Sequence, residues 1–570
     1  LGGGGVRRPF HLQETAVRRV ATWTLAVASI GAPSLAAQGP PAPDRARIDS
    51  IFASYNRTSG PGCALGVYRA GSIAVARGYG MADLEQGIAI SPQTVFYIAS
   101  TSKQFTAASV ALLAEEGRIS LDDPVRKWVP ELAAYADSIT VRHLVHHGSG
   151  IRDYLGLWGM SGRAFADEIP QEVALDLIAR QRALDFEPGT RYSYSNSGYL
   201  LLSEIVKRAS GRSLREYAAE RIFGPLGMSA THFHDDKAMI VPRRAYGYQP
   251  AGSGRYEIVR TSFALVGDGG LLTTVEDLAK WDANFYQNRL GRGGPELIDR
   301  LTTVGKFKDG RAMSYAFGLM PGSYRGLATV DHGGSFIGFR AQLLRFPAEQ
   351  LSVAVLCNDG SANPERMARQ VAELYLGDRM TPAAATTAPA STNAPSVPAE
   401  RLERWVGSYQ VTPGTVARVT RDSAGLWVAV FGQRIRLVPR SDSVFTASGL
   451  GDFEFRTGPS LLVAGSGATT PAPRLGPAPV LSATELAGYR GRYRSDELDT
   501  WASLEARGDT LRIRVRWGPW RALAPIGPDS FTMPGTQVAF DRGRRGEITG
   551  FRLSAARTLN VSFAREPDRR

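Results

Sequence analysis

Cysteine is almost missing from this chain: 570 residues carry two, Cys63 and Cys357. Two thiols exclude a disulfide framework of the kind that holds small secreted domains together. Each lies in an apolar, strand-like run (63–68 and 351–357), where a thiol behaves as a small hydrophobe. No base neighbours either one, which excludes a cysteine nucleophile. Lysine is scarce too, so the net charge of +13 rests mainly on arginine. Those arginines are scattered, with no basic block, zinc-knuckle spacing or aromatic-basic run, and nucleic acid is excluded as a partner. No apolar stretch is long enough for a transmembrane helix. A G-x-S-x-G nucleophile elbow is absent, and the glycine run at 267–270 lacks the Lys-Ser/Thr of a phosphate loop. His143, His146 and His147 have no carboxylate at ligand spacing and do not form H-E-x-x-H, so neither a metal nor a cofactor is expected.

What is present is enough apolar residue for several packed domains, since 570 residues exceed one ordinary core. Arg18 and Arg19, an apolar run over 20–32 and the small residues Ser34-Leu35-Ala36-Ala37 read as a secretory signal, with residues 1–37 set aside as leader and upstream sequence. Export to the periplasm or the cell exterior follows. Residues 44–378 mix strands and helices. Runs at 63–68 and 72–78 make a hairpin through Arg69-Ala70-Gly71. Helical patterns start near Ser100 and before Leu200, ending at Gly117 and Gly211, and Thr273-Thr274-Val275-Glu276-Asp277 offers a capping box for a third. A late strand pair (341–346 and 351–357) and a helix (365–376) close the unit. Strands at both ends with helices between predict an α+β fold, an antiparallel sheet flanked by helices.

Residues 379–399 are a linker of Pro, Ala, Thr and Ser. Beyond it the pattern turns to short alternating runs with no convincing helix. An internal repeat stands out: Leu402, Trp405, Gly407 and Tyr409 recur as Leu486, Tyr489, Gly491 and Tyr493. Two small β-barrels, 400–464 and 482–570, joined by a second linker at 465–481, are expected, with one barrel built from both halves as the alternative.

Three short motifs carry chemistry. Ser100-Thr101-Ser102-Lys103 opens a helical pattern, and residues three apart lie on one face, so Ser100 and Lys103 share a pocket as alcohol and base. Tyr194-Ser195-Asn196 precedes the second helix; a tyrosine near an ammonium has its pKa lowered and carries protons, and asparagine both donates and accepts. His332-Gly333-Gly334-Ser335 precedes the late strands, its glycines leaving backbone on which a substrate can lie.

In this order and spacing the motifs resemble the serine β-lactamase and penicillin-binding-protein superfamily over residues 50–378. The flanks Phe96-Tyr97-Ile98-Ala99, Leu144 to Gly150 (with Gly148 where the family has Thr), Tyr192 to Tyr199 and Gly267 to Leu271 agree. The resemblance implies that Ser100 is acylated, that Lys103 takes its proton and that Tyr194 protonates the leaving group, as in the tyrosine-using class C lactamases, D-aminopeptidases and esterases. It implies that Asn196 orients Lys103 and the substrate amide, that His332, Gly333, Gly334 and Ser335 line the substrate strand, and that the backbone N–H groups of Ser100 and Ser335 hold the oxyanion. The lactamases carry Lys where this chain has His332. A neutral imidazole does not hold a carboxylate, so the expected substrate is an ester, a D-amino-acid amide or a peptide rather than a β-lactam. A slow-turnover penicillin-binding sensor or a true class C lactamase is the alternative. Arg340 is a further candidate charge. The β-modules resemble the lipocalin-like barrels of some D-aminopeptidases and are expected to narrow access to Ser100. The family's first and last sheet strands pair, which implies that Cys63 and Cys357 lie on neighbouring strands.

Overall fold

The computed structural model describes residues 45–164, 169–259, 264–382, 397–430, 433–447, 451–455, 460–465 and 468–567. The leader expected over 1–37 and most of the first linker lie outside them. The hairpin expected at 69–71 forms because Ala70 (φ 48°) and Gly71 (φ 76°) both take the left-handed conformation of a tight two-residue turn. It joins Cys63–Arg69 to Ser72–Tyr79. These strands end a six-stranded antiparallel sheet that continues through Leu351–Cys357, Phe339–Phe346 and Leu327–Phe336 to Met320–Tyr324. Early and late chain thus meet mid-sheet. Cys63 stands opposite Cys357 in the register, and the two form a disulfide.

Each face of the sheet has its own core. Helices Arg45–Ile51 and Pro364–Leu376 cover one, packing Ile48, Met367 and Val371 on Val67, Val353 and Val355. On the other lie Lys103–Glu115, Asn196–Ser210 and Val275–Asn284. The first is buried on every side from Lys103 to Leu113, its polar residues Lys103, Gln104, Thr106 and Ser109 included. Gly211 (φ 74°) ends the second in the left-handed conformation. The expected capping box at Thr274 is only half made: its hydroxyl accepts from Asp277 N, while the Asp277 carboxylate accepts from Ala230 N and Thr231.

The C-terminal part forms two closed eight-stranded barrels, from Gly407–Thr412 to Ala468–Leu475 and from Gly491–Ser495 to Thr558–Arg565. Two sequence expectations need correction. Residues 465–481 are not all linker: Ala468–Leu475, though rich in proline and threonine, pairs with Ser460–Gly465 and Gly407–Thr412 and closes the first barrel. One-turn helices, Ala399–Glu403 and Ala483–Ala487, precede the two barrels and were too short for periodicity to show. The repeat has a structural signature, since Tyr409 donates to Trp405 O (3.0 Å) and Tyr493 to Tyr489 O (2.8 Å).

The second barrel is filled by Tyr493, Phe531, Phe540, Phe551 and Phe563, which join the hydrophobic core of the α+β part. The first keeps a separate core. Polar contacts add to the seat of the second. Arg152, 3% exposed, meets Glu497 (2.8 Å) and Asp185 (3.5 Å) and donates to Asn560 O. Glu497 also accepts from Arg182 N and Ser562 N. Covalent tethering is therefore the lesser part of how this barrel is held.

Candidate active site

Ser100 lies on a 3₁₀ turn, Ala99–Ser102, that runs directly into the helix starting at Lys103. Ala99 holds φ at 47°, an uncommon conformation for a residue with a Cβ, and so turns the chain sharply just before Ser100. Strand Leu327–Phe336 packs on this turn. A Cβ on Gly334 would stand 2.1 Å from Ile98 O, so the close approach requires glycine there. Thr101 donates to His332 O at 3.3 Å, fixing the strand against the turn. The outer strand Met320–Tyr324 pairs only as far as Asp331. From His332 to Phe336 the strand is paired on its inner side by Phe339–Phe346, leaving its outer edge toward the cleft. A substrate backbone can add to such an edge.

The motifs converge. Lys103 Nζ reaches Ser100 Oγ at 3.2 Å, Asn196 Oδ1 at 2.9 Å and Asp268 O at 2.6 Å. It also sits 4.8 Å from the centre of the Tyr194 ring. Asn196 is fixed from behind, its backbone N and its Nδ2 both donating to Asp153 Oδ2 at 2.9 Å. Burial lowers the Lys103 pKa to about 8; the carboxylates of Asp268 and Asp153 work against that fall and Arg557 adds to it. A neutral amine is thus accessible near physiological pH. It keeps two N–H donors for Asn196 and Asp268 and turns its lone pair to Ser100.

Tyr194 departs from expectation. Its phenol is pushed up, not down, from the ordinary value: burial dominates, while a hydrogen bond with Ser100 opposes it. Burial outweighs whatever the neighbouring ammonium contributes. Tyr194 therefore rests as a phenol, a proton donor beside the Ser100 hydroxyl. His332 is buried and its pKa falls to about 3 by desolvation, with Lys103 adding to the fall. Its Nδ1 donates to Gly333 O (2.6 Å), so Nε2 accepts from the Tyr315 hydroxyl (2.8 Å). This fixes an uncharged imidazole at the position where the lactamases have lysine.

Ser100, Tyr194, Asn196, His332, Gly333, Gly334, Ser335 and Arg340 line one cavity of about 700 Å³. Lys103 stands behind Ser100. Sequence reasoning missed Asp153, Asp268 and Arg557. Asp268 sits inside the 267–270 glycine run, which was noted without a role for its carboxylate. Asp153 closely follows the Gly148-Ser149-Gly150 segment. Arg557 belongs to no motif. The three neighbouring histidines serve the fold: His143 accepts from Thr140 N, His146 Nδ1 meets Tyr315 O, and His147 Nδ1 accepts from Ser195 N.

An alcohol, an amine of lowered pKa and a neutral phenol around one cleft, on an antiparallel sheet flanked by helices, define a serine hydrolase of the acyl-enzyme kind. The chain belongs to the β-lactamase family, whose model matches residues 48–377. It is 30% identical over 539 residues to the D-aminopeptidase of Cereibacter sphaeroides (strain ATCC 17023), a match spanning 90% of this chain and 98% of that protein. It is 28% identical to a penicillin-binding protein of Bacillus subtilis (strain 168), over 68% of this chain and 88% of that one. Its fold is similar to that of the octameric penicillin-binding protein homologue from Pyrococcus abyssi, with a TM-score of 0.54, 23% identity, and coverage of 84% of this chain and 99% of that one.

Proposed function

We propose that this protein is an exported hydrolase that cleaves the amide bond following a D-amino acid, in a small amide or a peptide, through an acyl-enzyme on Ser100. Residues 44–378 carry the chemistry and the barrels shape access to it. The observation that carries this reading is the joint placement of Lys103 and Tyr194 on Ser100, with His332 uncharged opposite them. Neutral Lys103 takes the Ser100 proton as Oγ attacks the carbonyl carbon. The oxyanion forms against the backbone N–H groups of Ser100 and Ser335. Tyr194 gives its proton to the departing nitrogen and is resupplied from Lys103, and water then releases the acyl group by the reverse path. Asn196 keeps the amine aimed at Ser100 throughout. Likeness to the D-aminopeptidase supports the amide over the ester, and the lack of a cation at position 332 argues against a β-lactam carboxylate there.

The test is a panel of D-alanyl p-nitroanilide, its L enantiomer, a p-nitrophenyl ester and a chromogenic cephalosporin, each with Ser100→Ala as control. The D-anilide should show the highest kcat/KM, and Ser100→Ala should abolish its turnover. Preference for the cephalosporin, or turnover surviving in Ser100→Ala, would overturn the proposal.

A further inference from the structure

One wall of the cleft comes from the second barrel. Arg557 stands at the tip of the hairpin joining Ile548–Ala555 to Thr558–Arg565 and lines the same cavity as Ser100 and Tyr194. Its guanidinium carbon is 5.5 Å from the centre of the Tyr194 ring. The hairpin is held firmly: Asp153 N donates to Arg557 O (3.0 Å), Thr558 Oγ1 to Asp153 O (3.1 Å) and Leu559 N to Asp185 Oδ1 (2.8 Å).

The backbone is fixed, but the charge is left largely unspent. The nearest carboxylate oxygen, on Asp153, is 3.9 Å from the guanidinium, beyond hydrogen-bond distance. Asp153 already accepts from Leu155 N, Asn196 N and Asn196 Nδ2. Other cations near Ser100 have close hydrogen-bond partners of their own. Lys103 spends its three donors on Ser100, Asn196 and Asp268. Arg340 turns Nη1 to the carbonyls of Ile337 and Phe339. His332 is uncharged, with both ring nitrogens occupied.

Position sets which half of a substrate meets Arg557. Tyr194 is the group that protonates the departing nitrogen in the reading proposed above, on which this inference rests. A cation beside Tyr194 therefore faces the departing half. A guanidinium presents paired N–H donors that match a carboxylate in two parallel bonds. We infer that Arg557 forms an anion subsite on the leaving-group side and selects substrates whose departing half is an amino acid with a free carboxylate, over neutral amides.

The test compares kcat and KM for D-alanyl-D-alanine and D-alanyl-D-alaninamide in the full-length wild type, Arg557→Gln, Arg557→Lys and Arg340→Gln. Wild type should favour the free acid. Arg557→Gln should raise KM for the acid about tenfold or more, the loss of a charge-assisted pair, while the acid-to-amide ratio of kcat/KM falls toward one. Arg557→Lys should keep part of that ratio. An equal loss on both substrates in Arg557→Gln would mean a structural role, and a ratio that collapses in Arg340→Gln instead would move the subsite there; either overturns the inference. A wild type that cleaves the D-anilide but shows no preference for the free acid also overturns it and leaves the functional reading standing. Failure on every D-amide sinks both.

Discussion

The buried amine makes the rate depend on pH in a way that can be worked out beforehand. Lys103 titrates at about 8 instead of its ordinary 10.5, with burial as the main cause. At pH 7 about a tenth of the molecules then carry the neutral amine that can take the Ser100 proton. The kcat/KM for a D-alanyl anilide should climb about tenfold per unit between pH 6 and 7.5, bend near 8 and flatten above about 9. Arg557 helps to hold the amine down, so its removal should move the bend to higher pH. Folding stability carries the same signature. Between about pH 8 and 10.5 the unfolded lysine holds a proton that the folded one does not, so stability should rise with pH across that window. The full gain relative to Lys103→Met is about 3 kcal/mol. Stopped-flow acylation from pH 5.5 to 10 and urea melts of both proteins give the two curves. A rate flat from pH 6 to 9, or one still climbing about tenfold per unit up to pH 10, would show that Lys103 is not the base or is not desolvated.

Two further outcomes follow from the fold. Glu497→Gln keeps the shape of the barrel seat but leaves Arg152, buried in the interface, with Asp185 at 3.5 Å as its remaining carboxylate partner. Because Asp185, Gln181 and Asn560 O still meet Arg152, it should lower the free energy of unfolding by about 1–3 kcal/mol in denaturant melts, and no measurable loss would mean that the pair is dispensable. Cys63→Ser/Cys357→Ser should lose about 2–4 kcal/mol, and the native protein should show no reactive thiol by titration in denaturant without reductant.

Most of the site was legible because its parts are local. Ser100 and Lys103 are a single turn apart, and a turn's geometry is fixed wherever it occurs. His332 with its glycines was read as strand backbone on which a substrate can lie, and the tight packing of Gly334 on Ile98 O was not foreseen. What stayed illegible depends on contacts between distant segments. The direction of the Tyr194 shift was misjudged because proximity to an ammonium can be guessed from motifs, whereas burial of both groups cannot. Asp153 reaches the site through Asn196, through the charge of Lys103 and through the hairpin it holds, and Arg557 only through a barrel that lies far along the chain. The strand Ala468–Leu475 was read as linker because its proline and threonine content masks a closing strand that is paired on both sides, where backbone pairing outweighs composition.

The shared core of the second barrel and the hydrolase part has a consequence for biogenesis. Ser100 and Lys103 leave the ribosome long before the hairpin that walls their cleft. Until that hairpin folds and docks, Arg152 and Asp185 face water and the substrate groove lacks a side. The nascent polypeptide can therefore assemble its reactive alcohol early, yet it acquires its finished groove only on late, long-range closure of the chain.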